Sequence, residues 1–289
     1  MLGGTAPILV QSMTTTKPKD VEKTVAETLA LAKVGCGLVR ITAPTFADAQ
    51  GLEEVMKRVR AAGCTVPVSA DIHFQPKAAF EALKWVEKVR INPGNFVDTG
   101  ILTLENQTDK MFDEGKEKVA EAFTPFVQEA KRLGRAIRIG VNHGSLSARM
   151  IYRYGDTVEG MVESAIEYLA VCEAEHFDQV VLSLKSSNPR VAIAAYRMLA
   201  ARLKQEHFKP YPFHVGVTEA GAGADGRLKS AAGIGALLLD GLADTIRVSL
   251  TEDPVAEVPV AQELIKACEL QAEGPECAGP GLGKDPDPY

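Results

Sequence analysis

Residues 20–42 read DVEKTVAETLALAKVGCGLVRIT, and this stretch decides the fold class. Its first part sets Val21, Val25, Leu29 and Ala32 on one face at three- and four-residue spacing, the period of an amphipathic helix. Its second part, GLVRIT, is a β-branched run of strand length. A helix that leads straight into such a strand is one unit of a parallel sheet.

The unit recurs in both directions. Strand candidates follow as PILVQSM, VPVSADIH, KVRINP, AIRIGVN, QVVLSLK, FHVGVTE and DTIRVSL. Between them lie helical stretches such as residues 156–175, with Val158, Val162, Ile166 and Leu169 in period, and 188–204, which open with a capping Asn188 and Pro189. Eight strands alternating with helices predict an α/β fold, a (β/α)8 TIM barrel. An open doubly wound sheet is the competing arrangement. It is disfavoured because no GxGxxG follows the first strand.

Two segments break the rhythm. NFVDTGILTLENQTDKMFDEGKEK, after KVRINP, reads as an unusually long βα loop. From Gln271 the chain is rich in Gly and Pro and reads as a linker or disordered tail. The expected organisation is therefore a barrel over residues 1–270 and a tail over 271–289.

Composition narrows the function. Among 289 residues, 32 Lys and Arg meet 38 Asp and Glu, for a net charge of −6. That balance argues against a surface devoted to nucleic acid. No apolar run approaches the roughly 20 residues of a membrane span, and no secretory signal opens the chain. The five cysteines are scattered with no CxxC pair, so neither a metal site nor a disulfide framework is expected and a cytoplasmic location is the default.

Chemistry on a barrel gathers where strands end. Those positions here carry Arg40, His73, Arg90, Asn92, Arg138, Asn142, Lys185, Glu219, Arg247 and Ser249. Four arginines sit in near-identical contexts on four strands: VRI, VRI, IRI and IRV. Buried cations cost several kcal/mol unless paired, and the acids nearby are few: Asp71, Glu219 and Asp244. Guanidinium forks suit phosphate oxygens. The pattern therefore predicts a small ligand with more than one phosphate. Each arginine taken singly could instead point outward or bridge to an internal acid. His73 could be a core histidine or a proton-transfer group, Glu219 a general acid or an arginine partner, and Lys185 a Schiff-base nucleophile or a phosphate ligand.

The ordered segments PILVQSMT, RITAP, ADIHF, VRINPGN, RIGVNHGSLS, VTEAG, LKSAAGIGALLLDG and DTIRVSLTEDP resemble the hydroxymethylbutenyl diphosphate synthase family of the non-mevalonate isoprenoid (MEP) pathway. The resemblance implies an iron–sulfur oxidoreductase that opens 2-C-methyl-D-erythritol 2,4-cyclodiphosphate reductively, drawing electrons from ferredoxin or flavodoxin. It implies Arg40, Arg90, Arg138, Asn142, Lys185, Thr218, Arg247 and Ser249 as substrate-binding residues, with Glu219 and His73 as catalytic ones. It also implies a 4Fe-4S cluster whose ligands are expected in a domain absent from this chain. No nucleic acid or membrane partner is expected, a homodimer is left open, and the plastid stroma is the location if the source is a photosynthetic eukaryote. Two other classes stay open: a Schiff-base aldolase or lyase acting on a sugar phosphate through Lys185, and a non-catalytic diphosphate-binding module.

Overall fold

A computed structural model describes residues 2–72, 75–97 and 107–273. Eight strands run in chain order: β1 (Leu9–Met13), β2 (Leu38–Thr42), β3 (Val68–Asp71), β4 (Lys88–Ile91), β5 (Ala136–Asn142), β6 (Val180–Lys185), β7 (His214–Val215) and β8 (Thr245–Ile246). The helices among the described residues are α1 (Val21–Lys33), α2 (Phe46–Ala61), α3 (Pro76–Leu83), α4 (Pro93–Phe96), α5 (Asp109–Leu133), α6 (Ala148–Tyr154), α7 (Val158–Ala174), α8 (Pro189–Gln205), α9 (Gly223–Leu239) and α10 (Pro254–Glu273). Each predicted strand is present, though the last two are only two residues long.

All pairings are parallel, in the order β6-β5-β4-β3-β2-β1-β8-β7. A parallel bridge between Leu182 and Phe213 brings the two ends together, so the sheet curls into the expected barrel. This seam is thin. Leu182 N–H donates to Pro212 O at 2.9 Å. Above it the Tyr196 hydroxyl of α8 takes the place of a ladder rung. It accepts from Leu184 N–H at 3.1 Å and donates to the His214 carbonyl.

The strand parity explains the repeated arginine contexts. In β2, β4 and β5 the flanking Val39, Ile41, Val89, Ile91, Ile137 and Ile139 are fully buried against the helices. The arginine between them must then face the barrel interior, because successive side chains alternate. The outer layer is apolar and the inner layer is polar, with Ser69, Asp71, Lys88 and Ser183 beside the arginines.

Helix starts follow local chemistry. Asp20 caps α1, the Thr157 hydroxyl caps α7, and Asn188 caps α8 just ahead of Pro189. The described part of the expected long loop after β4 is largely helical. Pro93 opens α4, and the Thr108 hydroxyl accepts from Met111 N–H at 3.2 Å to start α5. Phe112, Gly115 and Val119 supply the buried stripe that a stretch so rich in charge conceals. The central part of that loop lies outside the described residues. At the far end α10 reaches Glu273, so the first residues of the predicted tail are helical. The rest of it also lies outside the described residues.

Candidate functional site

The C-terminal ends of the strands enclose a cavity of about 210 Å³. Arg40, Arg90, Arg138, Asn142, Lys185, Thr218, Arg247 and Ser249 all line it, together with Met13, Thr42, Asp71, Gly140, Ser183 and Val217. The eight residues expected to bind a ligand are thus brought to one place by six different strand ends. Of the two expected catalytic residues, the described one does not join them. Glu219 lies one residue beyond Thr218, exposed, with φ of 53°, and does not line the cavity. His73 lies outside the described residues.

The cations are deeply buried: Arg138 is 2% exposed, Arg90 5%, Lys185 6% and Arg40 8%. Two carboxylates serve the group. Asp71 accepts from Arg90 Nη1 at 2.9 Å and lies 3.4 Å from Arg40 Nε, outside hydrogen-bond geometry. Arg90 Nη2 also donates to Gly140 O at 2.7 Å. With its amide oxygen turned inward, Asn142 accepts from the same Nη2 at 3.2 Å. The second carboxylate, Glu257 of α10, pairs with Arg247 at 3.0 Å and is itself 2% exposed. Arg138 and Lys185 have no carboxylate partner among the described residues, and Arg138 Nε has no hydrogen-bond partner there.

The acids differ from expectation in two places. Asp244 precedes β8 at the opposite end of the barrel, where it accepts from Phe213 N–H at 2.7 Å. It cannot balance charge at the mouth. Glu219 is exposed and is not among the residues lining the cavity, and no ion pair joins it to the arginines there among the described residues. Glu257 was missed because it stands on the helix after the last strand, where strand-end periodicity carries no signal.

The electrostatic consequence is a cavity short of negative charge. Burial pushes Arg40 down to about 10, with Asp71 opposing and Arg247 and Arg90 adding to the shift. Burial, reinforced by Arg40 and Arg90, likewise presses Arg138 well below the ordinary arginine range. Burial together with Arg138, Arg40, Arg247 and Arg90 does the same to Lys185. A guanidinium keeps its proton in proteins, so the relief open to these groups is an anion.

Small residues make room for this crowd. A Cβ at Gly140 would lie 2.5 Å from Arg90 Nε, and one at Gly216 would lie 3.2 Å from Lys185 Nζ and 2.8 Å from Arg247 O. The β4 and β5 loops interlock in the same way. A Cβ at Gly94 would fall 1.8 Å from Ser145 O, and Tyr168 of α7 donates to Pro93 O at 3.2 Å. Glycine in NPG and the turn NHGS therefore pack directly on one another, next to Asn142 of the cavity.

Among the described residues, no three His, Cys, Asp or Glu side chains converge as metal ligands. Cys36 and Cys172 are buried, in the α1–β2 connection and in α7 respectively, while Cys64 follows α2 and Cys268 sits on α10. Burial raises the Cys36 thiol and pushes Cys172 up to about 12. These are packed, protonated thiols rather than metal ligands. The described residues do not fit an iron–sulfur cluster.

Comparison with known proteins gives a consistent result. The GcpE TIM-barrel domain profile matches residues 1–262. The chain is 53% identical over 266 residues to 4-hydroxy-3-methylbut-2-en-1-yl diphosphate synthase (flavodoxin) of Akkermansia muciniphila, which covers 91% of this chain and 45% of that protein. It is 51% identical over its whole length to the protein of the same name from Porphyromonas gingivalis, 48% of which is covered. The chain thus spans about half the length of these relatives. Among solved structures, the dihydropteroate synthase of Stenotrophomonas maltophilia superposes with a TM-score of 0.59 at 16% identity, over 93% of this chain and 94% of that one. That likeness concerns the fold alone.

Proposed function

Because this chain belongs to the family of the GcpE TIM-barrel domain, we propose that it is the substrate-holding barrel of a 4-hydroxy-3-methylbut-2-en-1-yl diphosphate synthase. Its ligand is then 2-C-methyl-D-erythritol 2,4-cyclodiphosphate, and the reaction it serves is reductive ring opening in isoprenoid synthesis. One observation carries this reading: four buried cations and the half-buried Arg247 meet in a single small cavity with, among the described residues, only two carboxylates between them. A ring holding two anionic phosphoryl groups supplies the missing negative charge.

The chain's own side chains do the following. Arg138 and Lys185, which lack a protein counter-ion, take the phosphoryl oxygens most directly. Arg40 and Arg90 stay braced on Asp71 and present their remaining N–H groups. Asn142, Thr218 and Ser249 donate or accept at the ring hydroxyls and bridging oxygens, which fixes one orientation. Withdrawing the diphosphate from water strengthens each of these contacts and stabilises negative charge as the ring C–O bond breaks. Glu219, exposed on the loop after β7, and His73 are proposed as proton donors to the opened ring.

The electrons belong to chemistry that the described residues do not host. A 4Fe-4S cluster fed by flavodoxin or ferredoxin would supply them from the portion of the relatives that this chain does not span. We also propose a cytoplasmic location; separately, no helix among the described residues is long and apolar enough to cross a membrane. An aldolase reading requires one reactive lysine and leaves the four cavity arginines unexplained.

Isothermal calorimetry with the cyclic diphosphate tests the proposal. Saturable binding that weakens with added salt is expected. Turnover with a chemical reductant is expected only after a cluster-bearing domain is added in trans. Absence of binding at millimolar ligand would refute it.

A further inference from the structure

Glu257 does not line the cavity, yet four hydrogen bonds converge on its carboxylate. Arg247 donates from Nε at 3.2 Å and from Nη2 at 3.0 Å. Ser12 Oγ of β1 donates at 2.8 Å, and the Leu250 N–H, past the end of β8, donates at 3.1 Å. The acid therefore ties α10 to the two neighbouring strands and to one cavity arginine at once.

Arg247 needs that tether. It faces other cations, since its field presses on both Arg40 and Lys185. A long side chain surrounded by like charge turns toward water unless something holds it. The space for such a turn exists. A second opening of about 450 Å³, lined by Thr15, Lys17, Glu252 and Glu257 itself, shares Arg247 with the cavity, so the tethered guanidinium sits at the border of the two.

We propose that Glu257 is a positioning residue that keeps the Arg247 guanidinium in the cavity against the repulsion of its neighbours. By occupying Nε and Nη2, it leaves Nη1 for the anion. The role rests on the diphosphate reading above, and it makes a claim opposite to simple charge balance. If Glu257 only neutralised the site, its removal would make the cavity more positive and tighten anion binding. If it positions Arg247, removal weakens binding although the net positive charge rises.

The test is calorimetry with inorganic pyrophosphate and with the cyclic diphosphate on wild type, Glu257→Gln, Arg247→Ala and the double variant. Loss of one charge-assisted contact predicts about tenfold weaker binding for Glu257→Gln. The double variant is expected to bind no more weakly than Arg247→Ala, because both changes remove the same contact. Glu257→Asp, which keeps the charge but shortens the reach, is expected in between and serves if the glutamine variant does not fold. A crystal structure of Glu257→Gln should show the guanidinium in the adjacent opening. Binding by Glu257→Gln as tight as wild type or tighter, additive losses in the double variant, or an unmoved Arg247 in that crystal would each overturn the inference. Binding of pyrophosphate without the cyclic diphosphate would sink the substrate assignment and leave the role of Glu257 to be decided by the pyrophosphate series. If neither anion binds, the diphosphate reading fails, and the place of Arg247 in the crystal decides alone.

Discussion

Arg138→Met separates the two demands on this barrel. The guanidinium is 2% exposed and lies beside Arg40 and Arg90, and the one acid near it, Asp71, is already shared between those two. Replacing a buried, poorly compensated charge by an apolar side chain of similar volume stabilises a protein by about 1–4 kcal/mol. For a chain of this length that corresponds to a rise in Tm of roughly 2–8 °C. Binding should move the other way. A hydrogen bond from a charged donor contributes about 1.5–3 kcal/mol, so diphosphate affinity should fall about ten- to a hundredfold. Differential scanning calorimetry of the empty protein gives the first quantity, and a pyrophosphate titration gives the second. Added pyrophosphate should also raise the Tm of wild type more than that of the variant, by mass action. A variant that melts below wild type and binds equally well would show that Arg138 is a structural cation with a partner, and the charge argument for the site would fall with it.

Two further outcomes follow from the same geometry. Gly140→Ala places a methyl 2.5 Å from Arg90 Nε, so Arg90 must leave Asp71 and the Gly140 carbonyl. The cost should be about 1–3 kcal/mol in stability together with weaker pyrophosphate binding, and an unchanged melting curve would contradict it. Lys185, held well below the ordinary lysine value by burial and four arginines, binds fewer protons folded than unfolded in the window between its lowered value and the usual one. Stability of the empty barrel should therefore rise with pH across that window, while affinity for diphosphate, which favours the protonated amine, should fall. Lys185→Met should flatten both trends relative to wild type in pH-resolved melting and titration, and parallel curves for the two proteins would reject the assignment.

The barrel was legible because its strands advertise themselves twice, by length and by the apolar flanks that turn each arginine inward. Alternation alone decides that Arg40, Arg90 and Arg138 share an interior once Val39, Val89 and Ile137 are known to meet the helices. What periodicity could not supply is position along the barrel axis. Asp244 and Arg247 are three residues apart on one strand segment, yet one sits at the bottom and the other at the mouth. Glu219 occupies a strand-end motif, but a left-handed backbone there places it exposed and away from the cavity. Glu257 was invisible for a different reason: its partner arrives from β8 across a turn, and a glutamate early in a helix reads as a favourable dipole contact. The charged residues 109–118 read as loop and hid the start of α5, because only a narrow stripe of them is apolar.

The phenol of Tyr196 has a wider consequence. Every other joint in the cylinder is a backbone ladder, whose strength does not depend on residue type. At β6–β7 the backbone bonds stand only at the two ends, from Leu182 N–H to Pro212 O and from Thr218 N–H to Ser186 O, and between them the strands meet through one hydroxyl, pushed up to about 12 by its burial and so fully protonated. The middle of this seam is thus hooped by one side chain, and the helix bearing that hoop also begins directly after the lysine strand. Any drift that replaced the phenol would loosen the vessel's wall beside Lys185, which links the fate of α8 to the chemistry at the mouth.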